Sequence, residues 1–244
     1  MGTVVAVTSG KGGTGKTSIT GGIAASLALM GHQVLCIDMD IGLRNLDISL
    51  GLSDRALMDF SDVLLGRCPL TRAAVNHPTL QSLSLLTAPM ALPASLTEDR
   101  VQVFLNTVRT MYDYVLIDAP AGLGVGFHLA ICGADRALVI ATNDTSSLRD
   151  AQRAVEELDT ISQVHLVMNR IQTRLLRRLR ATIDDAMDTA GLPLLGVVPE
   201  DPRVILCANL GQPLTTCPRK GAVLACWNIA HRLDGQRVPI MKIR

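Results

Sequence analysis

Eight consecutive residues near the N-terminus, Gly10-Lys11-Gly12-Gly13-Thr14-Gly15-Lys16-Thr17, constrain this chain more than any other feature. They follow an apolar run, Thr3–Thr8, that reads as a strand, and they open a helical pattern over Lys16–Met30. The spacing G-x-x-x-x-G-K-[ST] between strand and helix is that of a phosphate-binding loop. Glycines let successive backbone N–H groups turn inward around phosphate oxygens. The helix that follows aims its positive end at the same place. On this reading Gly12, Gly13, Thr14, Gly15, Lys16, Thr17 and Ser18 contact a nucleotide. Lys16 supplies a point charge to the terminal phosphates, and Thr17 offers its hydroxyl to Mg²⁺. A chance match is the alternative, and the flanking strand and helix argue against it.

The rest of the chain alternates short β-branched runs with longer helical patterns. The strand candidates are Thr3–Thr8, Gln33–Asp38, Ser82–Thr87, Tyr112–Asp118, Arg136–Thr142, Val164–Asn169 and Leu194–Pro199. Most lack polar alternation, which marks strands buried on both faces of a parallel sheet. Helices are expected over Lys16–Met30, Leu96–Tyr112, Ser147–Leu158, Thr173–Ala190 and Lys220–Leu233. Gly31 suits the residue after a helix end, and Ser95 with Glu98 fits a capping box. This pattern predicts an α/β fold, a single three-layer P-loop NTPase domain over residues 1–244. Its central sheet is mostly parallel and flanked by helices.

Composition narrows the function. A formal net charge of +1 excludes a binder driven by bulk charge and an acidic tail protein. With 48% hydrophobic and 18% charged residues the chain is not disordered. Its few aromatics (one Trp, two Tyr, three Phe) offer no stacking platform for single-stranded nucleic acid. No apolar stretch reaches the length of about 18 residues expected of a membrane span. The first residues carry no signal peptide, and Ala6 stands where myristoylation wants Ser or Thr. The six cysteines form no C-x-x-C pair, so free thiols and a cytoplasmic location are expected.

Further candidates end the other strands. Asp38 and Asp40 stand two residues apart on an extended chain and share a face. They suit a water-mediated Mg²⁺ contact or the orientation of an attacking water, or else cap helices in a solvated loop. The run ending in Asp118 has the Walker B form, with that carboxylate behind Mg²⁺. Gly122, Gly124 and Gly126 fit either a mobile switch or a simple strand-to-helix turn. Asn169 offers a donor and an acceptor to an adenine ring. Arg170, Arg174, Arg177, Arg178 and Arg180 form the one basic cluster. It reads as a solvated face of an amphipathic helix, or as a contact for DNA phosphates or lipid headgroups.

The segment Lys11-Gly12-Gly13-Thr14-Gly15-Lys16-Thr17 also fits K-G-G-x-G-K-[ST]. On that motif the chain resembles the deviant Walker A ATPases of the MinD/ParA family. Asp38-Met39-Asp40-Ile41-Gly42-Leu43-Arg44-Asn45-Leu46-Asp47 and Asp118-Ala119-Pro120-Ala121-Gly122 resemble the MinD branch in particular. The resemblance runs from Val4 to about Lys242. It implies that Lys11 reaches the ATP of a partner subunit in an ATP-dependent, face-to-face homodimer. It also implies that Asp40 lies near the hydrolytic water and Arg44 on a nucleotide-sensitive surface. Pro199 and Asp201 would flank the adenine, and Ser146–Asp150 would lie at the dimer face. Read alone, that last stretch is a helix N-terminus with Ser capping.

Function follows from the same resemblance: slow Mg²⁺-dependent ATP hydrolysis driving a switch that selects or positions the division site. The implied partners are a MinC-like inhibitor and a MinE- or DivIVA-linked regulator. The alternatives are a ParA-like positioner using DNA through the arginine cluster, a soluble nucleotide-dependent adaptor, and a metabolic P-loop kinase. The kinase would need a lid insertion that the chain lacks. The cysteines do not reproduce the cluster ligands of the related nitrogenase iron protein. The chain departs from the family at Arg237–Arg244, where Pro239 and eight residues are too few for an amphipathic membrane helix. That weakens the expected peripheral contact with the inner face of the cell membrane.

Overall fold

All seven expected strand runs join one sheet in the computed structural model, which describes residues 1–241. They are β1 (Thr3–Thr8), β2 (Val34–Asp38), β4 (Leu83–Leu86), β5 (Tyr114–Asp118), β6 (Arg136–Ala141), β7 (Gln163–Ile171) and β8 (Leu194–Pro199). An eighth, two-residue strand, β3 (Val75–Asn76), pairs antiparallel to β4 at one edge. The order is β3-β4-β2-β5-β1-β6-β7-β8, and every other pairing is parallel. Every residue of β2, β4 and β5 is buried, as a sheet covered on both faces requires.

Helices cover both faces. One face carries α1 (Lys16–Leu29), α2 (Leu46–Leu50), α10 (Pro202–Asn209), a 3₁₀ turn (Leu214–Thr216) and α11 (Gly221–Leu233). The other carries α3 (Phe60–Leu64), α4 (Leu70–Ala73), α5 (Glu98–Val108), α6 (Val125–Ile131), α7 (Thr145–Glu156) and α9 (Ile183–Ala190). Between β7 and α9 lies α8 (Thr173–Leu179), which buries none of its residues. Small residues let α1 sink between the sheet and its neighbours. A Cβ on Gly22 would stand 2.7 Å from Cys226 Sγ of α11, and one on Gly21 would stand 2.5 Å from Ser49 Oγ of α2. The first helix is therefore buried nearly all round, and the loop before it is held by the core.

The structure corrects several local expectations. The helix predicted over Thr173–Ala190 is two helices, broken where Arg180 takes φ 52° and Thr182 starts a new capping box with Asp185. The Ser95–Glu98 capping box does not form: α5 begins after Thr97, which makes no side-chain cap. Asp144, rather than a serine, caps α7 by accepting the Ser147 N–H at 2.9 Å. Gly31 does take the left-handed conformation after α1, with φ 96°. Six cysteines are free, four of them buried, with Cys132 and Cys217 half-buried. No described helix is long and apolar enough to cross a membrane. Arg237–Met241 form no helix, and the expectation for Lys242–Arg244 lies outside the described residues.

Candidate functional site

Strands β1, β2 and β5 run in parallel and end together. Their register sets Asp118 beside Val7 on one side and Asp38 on the other. The glycine-rich loop leaves β1 here and turns into α1, with Gly13 and Gly15 at φ 81° and 85°. Gly15 is required twice over, since a Cβ would also lie 2.4 Å from Asn169 Nδ2. Lys16 bends back from the first turn of α1 and pairs with Asp118 Oδ1 at 3.3 Å, both side chains buried. Thr20 donates to the same oxygen at 3.1 Å. Asp118 Oδ2 is buried and has no partner.

This geometry concentrates negative charge. Burial pushes the Asp118 carboxyl above its ordinary range, against the pull of Lys16 and the threonine hydroxyls. Burial, aided by the charge of Asp118, pushes Asp38 up to about 7. The Asp38 oxygens accept the backbone N–H groups of Asp40 at 2.9 Å and Leu46 at 3.1 Å. Asp38 thus shapes the loop that presents Asp40 to the cleft. Two crowded carboxylates, one with an unpaired buried oxygen, are the setting a hard divalent cation relieves. Among the described residues no cluster of three or more His, Cys, Asp or Glu side chains forms a ready cage. That donor set fits Mg²⁺ held by Thr17, phosphate oxygens and water in front of Asp118.

Three cavities border the loop, and two of them meet at Gly15. A cleft of about 370 Å³ is lined by Gly12 to Ser18 and faces Asp40, Asn45, Ser49 and Ala121. Beside it lies a slot of about 160 Å³ between Ile19, Pro199, Val204, Ile205 and Leu214, with Asn169 and Asp201 in its wall. An anionic ligand fits the first and a flat, largely apolar ring the second.

The structure places several candidates in roles the sequence did not disclose. Asn169 donates to the Thr14 carbonyl at 2.7 Å, so its amide braces the loop. Asp201 spends its carboxylate on Arg203 and on the Ala222 N–H, fastening α10 to α11. Its carboxyl lies below the ordinary range because these partners outweigh burial. Arg44 is pinned to Thr87 Oγ1 at 3.0 Å. Lys11 is docked on its own chain, 3.4 Å from Asp144 Oδ1 and 2.7 Å from Ser146 Oγ. Burial acts against the charge on Asp144, but Ser146, Thr142, Ser147 and Lys11 hold its carboxyl well below the usual range. The second turn of α7 also abuts the loop directly, since a Cβ on Gly10 would lie 2.0 Å from the Asp150 carbonyl.

The basic cluster divides. Arg170 takes φ 56°, pairs with Glu200 at 2.9 Å and reaches the Gly13 carbonyl at 3.4 Å. Arg174, Arg177, Arg178 and Arg180 remain exposed on and just after α8. Sequence reasoning missed Asp144, Thr20 and the slot residues Val204, Ile205 and Leu214. Only Asp144 had a local signal, as an aspartate just before a helical pattern.

Comparison with known proteins agrees with this geometry. Residues 5–214 match the family model for the CobQ/CobB/MinD/ParA nucleotide binding domain. The septum site-determining protein MinD of Bacillus subtilis (strain 168) is 38% identical over 251 residues, covering 98% of this chain and 92% of that protein. The MinC:MinD cell division protein complex of Aquifex aeolicus superposes with a TM-score of 0.91 at 35% identity, covering 98% of this chain and 99% of the other. The septum site-determining protein MinD complexed with Mg-ADP from Pyrococcus horikoshii OT3 superposes with a TM-score of 0.84 at 27% identity, covering 96% of each chain.

Proposed function

The chain belongs to the CobQ/CobB/MinD/ParA family of nucleotide-binding proteins, and on that premise we propose that it is a MinD-like ATPase serving as a nucleotide-driven switch in division-site placement. It uses ATP and Mg²⁺. One observation carries the reading. The glycine-rich loop closes on a buried Lys16–Asp118 pair whose second carboxylate oxygen is unpaired.

The chain's own residues then divide the work. Loop N–H groups and the start of α1 bind the phosphates. Phosphate oxygens would compete with Asp118 for the Lys16 ammonium, and the freed Asp118 carboxylate would then help hold Mg²⁺. Mg²⁺, when bound, offsets charge on the phosphates, with Thr17, Asp118 and, through water, Asp38 and Asp40 to hold it. Asp40, on the loop held by Asp38, orients the attacking water. The slot beside Pro199 takes the adenine. Lys11 leaves Asp144 and Ser146 and reaches the phosphates of a second subunit, so that triphosphate favours a face-to-face homodimer. The switch lies in which surface each nucleotide state exposes.

The Aquifex aeolicus relative was solved with MinC, and a MinC-like inhibitor is the partner proposed here. A MinE- or DivIVA-linked regulator and a peripheral contact of an otherwise cytoplasmic protein complete the proposal. The exposed arginines around α8 favour one second reading, ATP-dependent contact with DNA phosphates as in ParA-like positioners. The test measures fluorescent ADP binding and ATP hydrolysis for the wild type and Lys16→Ala. It then adds anionic vesicles or duplex DNA with ATP or ADP. The reading expects loss of binding in the variant and no DNA retention. Nucleotide affinity unchanged in Lys16→Ala contradicts the site, and ATP-dependent, salt-sensitive DNA binding moves the protein to the second reading.

A further inference from the structure

Cys207 and Cys217 flank the turn that follows α10. Cys207 lies inside α10 and is 2% exposed, whereas Cys217 follows the 3₁₀ turn and is half-buried. Between them Gly211 at φ 62° reverses the chain, so two residues ten apart in sequence face one another. Their Sγ atoms are 2.9 Å apart in thiol–thiol contact. A formed disulfide bond is about 2.05 Å, so roughly 0.9 Å of approach separates the two states. Arg203 sits beside the pair. Its guanidinium donates to the Pro218 carbonyl at 3.2 Å, and its charge favours the thiolate of Cys207. Burial nonetheless pushes the Cys207 thiol up to about 11. Cys217 is the more accessible of the two and meets an oxidant first.

The segment carrying these thiols walls both nucleotide cavities. Val204 and Ile205 of α10 and Leu214 of the 3₁₀ turn line the slot beside Pro199. Ala208, next to Cys207, lines the phosphate cleft. The Gly211 carbonyl packs against the end of α2, where a Cβ on Gly51 would lie 2.4 Å from it. A covalent link across the turn therefore fixes α10 to the 3₁₀ turn, both of which wall the slot, and stiffens the turn that packs against the end of α2.

We propose that Cys207 and Cys217 form a reversible intramolecular disulfide, a redox site that slows nucleotide release when closed. The oxidant is a low-molecular-weight disulfide. The Cys217 thiolate attacks one of its sulfurs, forms a mixed disulfide and expels one small thiolate. The Cys207 thiolate then attacks Cys217 Sγ and expels the second. The two protons from the protein thiols finish on the two released small thiols. The protein loses two electrons and the small disulfide gains them. The effect on nucleotide release rests on the nucleotide site proposed above, whereas the pairing does not.

The experiment equilibrates the full chain with mixtures of oxidised and reduced glutathione. Free thiols are trapped by alkylation, and peptides are mapped by mass. In parallel, the dissociation of a fluorescent ADP analogue is timed for the wild type and for Cys217→Ser. The proposal expects Cys207 and Cys217 to lose alkylation together, joined in one peptide pair, and to recover it with a dithiol reductant. Analogue release should slow several-fold in the oxidised wild type and stay unchanged in Cys217→Ser. Absence of the pair at every glutathione ratio overturns the proposal, as does a formed pair with unaltered release. A reduced wild type that never binds the analogue overturns the nucleotide reading and the regulatory effect together, while the mass map still decides the pairing.

Discussion

Lys11 occupies a position that a motif alone could not describe. The sequence marks it as a second lysine in the loop, but Asp144 and Ser146 hold it on its own chain. That exposed pair is worth up to about 1 kcal/mol. Asp144→Asn keeps an N-cap for α7 and removes the charge. Each dimer frees two such pairs, so on this account ATP-dependent self-association then occurs at up to about thirtyfold lower protein concentration, measured by light scattering. An association curve that is unmoved, or that shifts the other way, excludes the Lys11–Asp144 pair as a restraint. Legibility at this scale follows distance along the chain. Lys16 and Thr17 are readable because their chemistry is contiguous with the glycines, and Asp118 because it ends an apolar run. The roles of Asn169 and Asp201 were not readable, since their partners Thr14 and Ala222 are brought to them only by the folded sheet and helices.

The strands were legible because burial on both faces leaves continuous β-branched runs, as in β1 and β5. The helices α2, α3 and α4 span only four or five residues, too few to show a helical period. The break between α8 and α9 stayed hidden because apolar spacing continues through Arg180, whose left-handed backbone only the structure shows. Helix contact gives a direct test. Gly22→Val forces α1 away from Cys226, and overpacking of this kind costs about 1–3 kcal/mol. Urea denaturation should show that loss, and an unchanged midpoint would contradict the close approach of α1 and α11.

A second element-scale test concerns His77, which joins the β3 edge to α2. Its Nδ1 accepts the N–H groups of Thr79 at 3.2 Å and Leu80 at 3.0 Å. Nε2 therefore carries the proton and donates to the Leu50 carbonyl at 3.1 Å. Burial holds the imidazole below its ordinary 6.5, with Arg55 adding to it against the Leu50 bond. Stability from this neutral ring is full above 6.5 and declines as pH falls through that value toward the lower folded one, because the unfolded chain takes up the proton first. The stability gap between wild type and His77→Ala should narrow from neutral to mildly acidic pH in denaturation curves. A gap that stays constant or widens would contradict the neutral ring.

The molecule as a whole is a mostly parallel sheet between two layers of helices, with its chemistry collected at one end of β1, β2 and β5. That the loop and the two carboxylates meet there was legible from the order of motifs along strand ends, whereas the slot was legible only at Asn169, Pro199 and Asp201. The docking of Lys11 on Asp144 and Ser146 was not legible, because no local pattern distinguishes a docked lysine from a solvated one. The central claim is that triphosphate, through Lys11, assembles two such molecules. Sedimentation velocity of the full chain with Mg²⁺ and either ATP or ADP, for wild type and Lys11→Ala, tests it most directly. The account predicts a dimer for the wild type with ATP only, and a monomer for Lys11→Ala that still binds nucleotide. A wild type that sediments identically with both nucleotides, or a Lys11→Ala variant that dimerises with ATP, would contradict it.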